Sequence, residues 1–591
     1  MIVKKLLGSF SLLSPKARRR MYFLIPVILL GMCLETLSVG MIVPALGILL
    51  NESFFDQFET LQPVLSRMNN PSHEKLIFLG LSSLALAFFL KNVFLYFQIH
   101  CQGTFVYSAK REIALNLFKK YLNKPYLYHL STNSSELLRN LTTEVNSYCN
   151  FFLMPVVNLV TETLVIVSLI SLIIWVEPQG SLLLILILGI LVYLFIKGTH
   201  RVVGSWGRER LHAEESKIKH LQQGIGAIKQ ILLSGRTEFF LRRFHKPNQV
   251  SGLMDKREYI FQYVPKLGVE IIAVCGLVAM CSYLLWNGRS YQEVTFMLGL
   301  MASAGFRLIP SFSRILNNLQ SMRYGWASVD TLYGEFSSSS PVINSSEQSA
   351  TEGFCGVKFD KEITFSKVSF SYDHRVKLLD GIALSIIKDS TIGLTGASGC
   401  GKSTFADLIL GLIQPDEGYI LIDGQIIGDK DQSAWSSMIG YVPQDVYILD
   451  DTVRHNIAFG LPENEIDNER IWEVLTIVNL VSFVEQSPEG LDTFLGEQGA
   501  RMSGGQKQRL GVARALYHDP LILILDEFTS ALDRSTERDI LKTFHPLLGK
   551  KTIFIIAHSK LPLAICDQVY QLENGKINLL KKDLTHANTG R

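Results

Sequence analysis

Charge is scarce in this sequence of 591 residues. Asp, Glu, Lys and Arg make up 19% of it, below the roughly 25% of an average soluble domain, while apolar residues make up 48%. This balance argues against a wholly cytosolic enzyme and indicates that much of the chain lies in lipid.

Cysteine is also sparse. The eight cysteines form no CxxC pair and no zinc-ligand pattern with histidine, which argues against a structural metal or a disulfide framework.

Apolar runs, by contrast, are long. Six of them approach the roughly 20 residues that a membrane-spanning helix needs, and they lie near residues 21–50, 76–98, 151–176, 181–196, 263–286 and 293–317. The first follows a basic leader and lacks a small-residue cleavage site, so we interpret it as a retained span. Lys and Arg crowd the leader and the connections 99–150 and 198–262. The positive-inside rule therefore places these segments and both termini in the cytoplasm.

The two basic connections carry apolar residues at helical spacing. We therefore expect the membrane helices to continue into the cytosol and to contact the soluble part of the chain near residues 124–131 and 229–240. Residues 51–66 fit a short amphipathic helix at the outer interface or, alternatively, an ordered loop. A Ser-rich linker ends the membrane part. The predicted domains are a transmembrane domain at 1–336, the linker at 337–354 and a soluble domain at 355–591, each present once.

A glycine-rich stretch is the first candidate binding motif in the soluble part of the chain. The sequence TIGLTGASGCGKST leads from β-forming residues into a helix-forming run, which is the context of a phosphate-binding P-loop. Its glycines let backbone amides curl around phosphate oxygens, Lys402 reaches the β- and γ-phosphates, and Ser403 ligates Mg²⁺. The predicted nucleotide-binding residues of this loop are Gly396, Ala397, Ser398, Gly399, Cys400, Gly401, Lys402, Ser403 and Thr404.

A second strand, LILILDEF, ends in two adjacent carboxylates. Asp526, at the mouth of a buried strand, can hold Mg²⁺ through water, and Glu527 can act as general base toward the attacking water. An ordinary strand end followed by a helix cap would give the same pattern. Because the P-loop stands in the same chain, we favour the catalytic interpretation.

Between these strands stands RMSGGQKQR, ahead of a helix-forming run. This stretch resembles the signature of the ABC family of ATPases, and further motifs of that family occur in the expected order. The resemblance implies adenine stacking by Tyr372, nucleotide and Mg²⁺ binding by Gln444, and a catalytic switch role for His558. It also implies a nucleotide-binding signature and a D-loop, formed by Ser503, Gly504, Gly505 and Gln506 and by residues 530–533 respectively. Met502 stands where the family usually has Leu, a volume-conserving change.

The same resemblance implies an architecture. It predicts an all-α six-helix transmembrane domain of the type I ABC exporter fold, followed by an α/β P-loop ABC ATPase domain. In that arrangement the signature of one ATPase domain closes over the nucleotide held by another domain's P-loop. A chain with one copy of each therefore implies a homodimer with two equivalent sites for ATP and Mg²⁺. The fusion of both domains, and Glu497 in GEQG before the signature, resemble an exporter more than an importer.

The wider chain is most similar to bacterial flippases of the lipid-linked oligosaccharides used in protein glycosylation. The similarity rests on LETLSVGMIVPALGIL, KPYLYHLSTNSSELLRNLTTEV and FRLIPSFSRI. It implies ATP-driven flipping of an anionic, pyrophosphate-linked lipid in the bacterial inner membrane. Exporters of peptides, drugs or other lipids share the architecture and remain alternatives. An ATP-gated channel or regulator is a third reading, which the intact hydrolytic residues disfavour. The six spans exclude a soluble ABC protein acting on nucleic acid.

Four cations lie within the predicted spans, where an unpaired charge costs a few kcal/mol unless it faces protein or water. They are Lys91, Lys266, Arg307 and Arg314, and together they predict a wet path for an anionic head group. Lys91 and Arg314 equally fit snorkelling or a position beyond the lipid, and Lys266 fits pairing with Glu270 one helical turn away. Arg307 has no nearby acid in sequence, so we expect it to face a cavity. Two intramembrane acids, Glu35 and Glu162, are either protonated or partners of these cations.

Overall fold

A computed structural model of the chain describes residues 12–42, 44–45, 73–176, 178–286, 291–337, 358–373, 376–427, 431–530 and 532–582. The chain forms two compact units. The first contains residues 1–122 and 131–340, and the second contains residues 341–591 together with the short segment 123–130. The predicted outer helix at 51–66 and nearly all of the predicted linker lie outside the described residues.

Helices alone build the described part of the first unit. The long ones are α1 Pro15–Gly40, α2 His73–Leu122, α6 Met154–Val176, α7 Pro178–Gly226, α9 Thr237–Trp286 and α10 Tyr291–Tyr324. The shorter ones are α3 Tyr126–Ser131, which lies largely in the second unit, α4 Ser134–Arg139, α5 Val145–Tyr148, α8 Ile228–Ser234 and α11 Trp326–Ser337. Two π-helical segments, Asn140–Glu144 and Cys149–Leu153, flank α5.

Each predicted span falls on one of the long helices, apart from the end of the first span, which lies outside the described residues. Among the described residues, the stretches Pro15–Gly40, His73–Leu122 and Ser134–Leu172 are apolar and long enough to cross a membrane. The helix α2 contains 50 residues, or about 75 Å at 1.5 Å per residue, against a hydrocarbon core of about 30 Å. The predicted continuation of membrane helices into the charged connections is therefore confirmed.

A buried aromatic and charged cluster joins three of these helices. Tyr324 of α10 donates its hydroxyl to Asp255 of α9 at 2.8 Å, and the Arg210 guanidinium of α7 lies over the Tyr324 ring at 5.5 Å. Close approach at this point requires glycine, since a Cβ on Gly207 would lie 2.2 Å from the carbonyl oxygen of Tyr324. The cluster keeps the charged Arg210 compensated inside the helix bundle.

The second unit is an α/β fold around two sheets. Its strands are β1 Glu362–Phe370, β2 Leu379–Ile387, β3 Thr391–Gly396, β4 Glu417–Ile422, β5 Gln425–Ile426, β6 Ile439–Val442, β7 Ile522–Asp526, β8 Thr552–Ile556, β9 Gln568–Glu573 and β10 Lys576–Lys582. One sheet is antiparallel with the order β2-β1-β4-β5. The other has the order β10-β9-β3-β8-β7-β6 and is parallel except for its edge strand β10.

Helices of the second unit pack around these sheets. They are α12 Lys402–Ile409, α13 Gln432–Ser437, α14 Val453–Ile457, α15 Asn468–Ile477, α16 Val481–Glu485, α17 Gly504–Tyr517, α18 Arg534–Phe544 and α19 Lys560–Ala564. Strands β7 and β8 are buried along their whole length, as expected for neighbours inside a covered parallel sheet. The carboxyl ends of β3, β7 and β8 therefore meet at one edge, where the predicted catalytic residues follow.

Candidate nucleotide-hydrolysis site

The predicted P-loop connects β3 to α12. Gly399 and Gly401 have φ of +80° and +105°, a region that favours glycine, so both glycines permit the tight turn. Lys402 begins α12 and is 5% exposed. Its ammonium group donates to the carbonyl oxygens of Gly396 at 3.2 Å and Ala397 at 3.0 Å. The lysine thus lies folded over the loop, where a phosphate bound by the backbone amides would meet it.

The two predicted Mg²⁺ ligands Ser403 and Asp526 are brought together at the mouth of β7. The Ser403 hydroxyl forms a hydrogen bond with the Asp526 carboxylate. Burial raises the pKa of Asp526, and the adjacent Glu527 charge adds to that effect. In the described part of the chain, no group of three or more His, Cys, Asp or Glu is arranged so that it could hold a metal ion. A site of few protein ligands suits Mg²⁺, which is usually completed by substrate phosphates and water.

Glu527 lies at the centre of the predicted catalytic residues. Its Oε1 lies 3.0 Å from Nε2 of His558, and its Oε2 accepts a hydrogen bond of 3.0 Å from the Gln444 amide. The Lys402 ammonium lies 3.8 Å away. Glu527 has φ of +43°, an uncommon conformation for a residue with a side chain, and its amide is held by the Ile556 carbonyl of β8 at 2.9 Å. Such strain concentrates at functional sites.

Tyr372 lies beside the P-loop, as the adenine-stacking prediction requires. Its hydroxyl lies 3.1 Å from the Thr404 hydroxyl, and its ring packs edge-on against Phe370. Tyr372 and Cys400 line a pocket of about 410 Å³ together with Asp373, Val376, Lys377, Leu378, Asn574 and Gly575. The aromatic ring is 49% exposed, so its face is available for stacking.

The predicted signature lies at the N-terminus of α17. Ser503 caps this helix, because its hydroxyl accepts from the Gln506 amide at 3.3 Å while the Gln506 side chain accepts from the Ser503 amide at 2.8 Å. Among the described residues, no hydrogen bond or ion pair joins Ser503, Gly504, Gly505 or Gln506 to the P-loop. Met502 is buried in the domain core, which fits the tolerated replacement of Leu. Within one chain, therefore, the signature does not complete the nucleotide site.

Two residues that the sequence analysis missed support the site. Gln508 of α17 is buried and donates to the Gln444 carbonyl at 2.6 Å, so the signature helix holds the loop that carries Gln444. Glu537 of α18 is 7% exposed, and its Oε1 accepts from the hydroxyls of Thr529 at 3.0 Å and Ser559 at 2.7 Å. Thr529 and Ser559 follow Glu527 and His558 closely in sequence. Glu537 therefore ties together the two loops that carry the catalytic pair.

The segment 123–130 packs within the nucleotide-binding unit. Tyr126 contacts the core cluster that contains Phe405 and Ala406 of α12. Burial and the nearby Asp407 raise the pKa of Tyr126. The predicted contact of a helix extension with the soluble unit near 124–131 is confirmed, and the second predicted contact, near 229–240, stays a prediction.

Inside the first unit, three of the four predicted intramembrane cations have acidic partners. Glu35 pairs with Arg307 at 2.6 Å and with Lys91 at 3.5 Å, and Glu162 pairs with Arg314 at 2.6 Å. Arg307 has no acid nearby in sequence, but it has one in space, because its partner Glu35 is 272 residues away along the chain. The expectation that Arg307 faces a cavity stays a prediction. The alternative in which Glu35 and Glu162 partner these cations is confirmed.

Lys266 behaves differently from the other three cations. Both Lys266 and Glu270 are exposed in the single chain, and no ion pair joins them among the residues that the structure describes. The alternative in which Glu270 neutralises Lys266 is therefore wrong for this structure.

Comparisons with known proteins agree with this geometry. Residues 38–301 match the family model of the ABC transporter transmembrane region, and residues 379–530 match that of the ABC transporter. The heterocyst differentiation ATP-binding protein HepA of Nostoc sp. is 30% identical over 83% of this chain and 79% of its own. An ATP-dependent lipid A-core flippase of Cupriavidus pinatubonensis is 26% identical over 79% of this chain and 78% of its own.

Two further matches agree with these relatives. A multidrug resistance ABC transporter ATP-binding and permease protein of Lactococcus lactis is 28% identical over 80% of this chain and 79% of its own. The fold matches the structure of a bacterial Atm1-family ABC exporter with ATP bound, with a TM-score of 0.78 and 21% identity over 95% and 94% of the two chains. The protein belongs to the ABC transporter family. It is a membrane-spanning half-transporter of the exporter type, and it couples ATP hydrolysis to translocation.

Proposed function

We propose that two copies of this chain form a homodimeric flippase of the bacterial inner membrane. It uses ATP and Mg²⁺ to move a lipid-linked, pyrophosphate-bearing oligosaccharide from the cytoplasmic to the outer leaflet, and both termini of each chain lie in the cytoplasm. The proposed domain bounds are 1–336, 337–354 and 355–591, with segment 123–130 serving as a contact to the ATPase domain.

The charge inside the membrane unit is the observation that carries the substrate class. Among the described residues, Arg307, Lys91 and Arg314 are matched by two carboxylates, those of Glu35 and Glu162, so the described group has one positive charge in excess. Arg307 is 22% exposed although Glu35 is 1% exposed. Intramembrane cations that reach open space mark a substrate path in a transporter. An anionic head group fits such a path, and the lipid A-core flippase among the relatives supports a lipid.

The hydrolytic step follows from the contacts of Glu527. In our proposal Glu527 accepts the proton of the attacking water, and His558 and Gln444 fix its two oxygens. Lys402 and the P-loop amides hold the phosphates. Ser403, Asp526 and Gln444 would hold Mg²⁺, which neutralises phosphate charge when bound.

The separation of the signature from the P-loop of its own chain supports the dimer. Ser503 to Gln506 make no described hydrogen bond or ion pair to the P-loop of their own chain, although they lie at the N-terminus of α17, a position that favours phosphate binding. A second chain would supply its signature to this P-loop, and the symmetry of a homodimer would complete both sites at once.

Translocation of a defined pyrophosphate-linked glycolipid in proteoliposomes tests the proposal. Arg307→Ala should lower the flipping rate at least tenfold, which corresponds to about 1.4 kcal/mol of lost stabilisation. Arg307→Lys should keep part of the activity if charge alone matters, and little if a bidentate guanidinium grips the phosphate. Lys266→Ala and Arg314→Ala should show smaller losses.

A matched control removes an arginine outside the membrane. Arg242 forms an exposed pair with Glu238 at 3.0 Å, and such pairs contribute little, so Arg242→Ala should flip at a rate close to that of the wild type. ATP turnover and thermal stability are measured for every variant. If the Arg307, Lys266 and Arg314 variants flip as fast as the wild type, the cations are not the substrate route. Transport of a peptide or drug, as the relative from Lactococcus lactis suggests, would then be the better explanation.

A further inference from the structure

Glu35 is a buried carboxylate shared by two cations from different helices. It lies on α1, where it is 1% exposed. The Arg307 guanidinium of α10 donates one hydrogen bond to it, from Nη2 to Oε2 at 2.6 Å, and its Nε lies 2.6 Å from Oε1 without hydrogen-bond geometry. The Lys91 ammonium of α2 lies 3.5 Å from the same Oε1. The Glu35 carboxylate is therefore paired with two cations, and Arg307 lies closer to it than Lys91 does.

The two cations differ in their access to open space. The Arg307 side chain is 22% exposed and the Lys91 side chain is 11% exposed. Lys91 is further held by the ring of Phe88, whose centre lies 4.6 Å from the ammonium. Arg307 is thus the more accessible of the two partners of Glu35, and Lys91 is the more enclosed.

Shared pairing allows Arg307 to change partners. A buried carboxylate that loses its only cation is strongly destabilising, but Glu35 would keep Lys91 when Arg307 turns to another anion. The neighbouring pair of Glu162 and Arg314 has no second cation among the described residues. Glu162 has one described cation, Arg314, and its Oε2 already has no hydrogen-bond partner among the described residues. Releasing Arg314 would leave Glu162 without a described cationic partner.

We propose that Glu35 is an internal counterion that a substrate anion must displace from Arg307, and that it thereby excludes singly charged lipid head groups. This inference rests on the proposed flippase function. A bilayer contains many phosphodiester lipids with one negative charge, which match the carboxylate in charge and gain nothing by replacing it. A pyrophosphate offers more charge and more acceptor oxygens, so it competes successfully for a guanidinium. Glu35 thus discriminates by disfavouring the wrong ligand.

Binding to the purified full-length protein tests the proposal. The probes are a polyprenyl pyrophosphate glycolipid and phosphatidylglycerol, and the measured quantity is the dissociation constant of phosphatidylglycerol divided by that of the glycolipid. Glu35→Gln keeps the shape of the side chain and removes its charge. The variant should bind phosphatidylglycerol more tightly and lower the ratio at least tenfold. Glu270→Gln removes an exposed acid of α9 that forms no described ion pair, and it should leave the ratio within about twofold.

A second variant keeps the inference testable if Glu35→Gln folds poorly. Lys91→Gln leaves Arg307 as the only partner of Glu35, so it should weaken binding of the pyrophosphate lipid at least tenfold while Arg307 is intact. Adding Glu35→Gln to Lys91→Gln should restore that binding. If the double variant stays as weak as Lys91→Gln, Lys91 contacts the lipid directly and the counterion role is refuted.

The outcomes separate this inference from the proposed function. A wild-type protein that shows no preference for the pyrophosphate lipid would contradict the flippase proposal itself. A wild-type preference that persists unchanged in a folded Glu35→Gln variant would overturn only the role of Glu35.

Discussion

Replacing Glu527 by Gln isolates the chemical step. The change exchanges one carboxylate oxygen for an amide nitrogen and removes the negative charge. The amide can still meet His558 or Gln444 with its remaining oxygen, so the geometry around 3.0 Å should survive. What disappears is the group that accepts the proton of water. General base catalysis typically contributes 10²- to 10⁴-fold, so turnover should fall by that factor, or about 2.7–5.5 kcal/mol in the barrier.

The affinity for ATP should not fall when turnover falls. Glu527 lies 3.8 Å from Lys402 and competes with the phosphates for that cation. Neutralising it should leave ATP affinity unchanged or slightly tighter, since Tyr372 and the P-loop amides are untouched.

The assay combines steady-state phosphate release with equilibrium binding of a fluorescent ATP analogue. His558→Ala, alone and combined with Glu527→Gln, forms a double-mutant cycle, and the two losses should be strongly non-additive because the side chains are in contact. Near-normal phosphate release by Glu527→Gln would refute Glu527 as the base. Loss of ATP binding in the variant would show instead that the change disrupts the site.

Two further predictions concern residues around this site. Glu537→Leu leaves the Thr529 and Ser559 hydroxyls without their shared acceptor, so kcat should fall about tenfold with little change in KM for ATP. Glu537→Gln, which keeps an acceptor oxygen, should rescue most of the rate, and equal damage from both variants would refute a positioning role. Burial and Asp526 raise the pKa of Asp407 from 3.8 to about 6. The shift therefore stabilises the folded protein fully below pH 3.8, and this stabilisation is lost as the pH rises through 6. Its size is roughly 1–2 kcal/mol after allowance for solvent screening. Asp407→Asn should abolish that part of the pH dependence, as measured by thermal unfolding without nucleotide or Mg²⁺ at pH 4.5 and 7; an unchanged dependence would contradict the shift.

The residues of the hydrolytic site were predictable because their geometry is encoded locally. A P-loop needs glycines at the positions where φ is positive, as at Gly399 and Gly401, and its lysine follows at fixed spacing. Glu527 directly follows the buried strand β7, so a strand pattern that ends in two carboxylates beside a P-loop was enough to place it. His558 was placed by the resemblance to the ABC family, and the structure positions it just after the neighbouring strand β8. Six apolar runs likewise sufficed to predict the helices of the membrane unit.

Long-range pairing was not predictable in the same way. The runs that contain Glu35 and Arg307 lie far apart in sequence, so the sequence does not reveal which face of one helix meets the other. Glu537 was missed for a related reason. It looks like an ordinary charged residue of an amphipathic helix, and only the folded chain brings it to hydroxyls from two separate loops. The assignment of segment 123–130 to the nucleotide-binding unit also depends on tertiary packing, which its short helix does not encode.

The segment 123–130 joins a helix of the first unit to the nucleotide-binding unit along the chain. It is continuous with α2 on one side, and Tyr126 lies in the electrostatic reach of Asp407. Asp407 in turn senses Asp526, the predicted Mg²⁺ ligand. Binding of Mg²⁺ and phosphate would change the charge at Asp526, and the change would be felt at Asp407 and hence at the surface on which Tyr126 packs. The helix α2, which carries Lys91 in its first half, ends at Leu122 immediately before that segment.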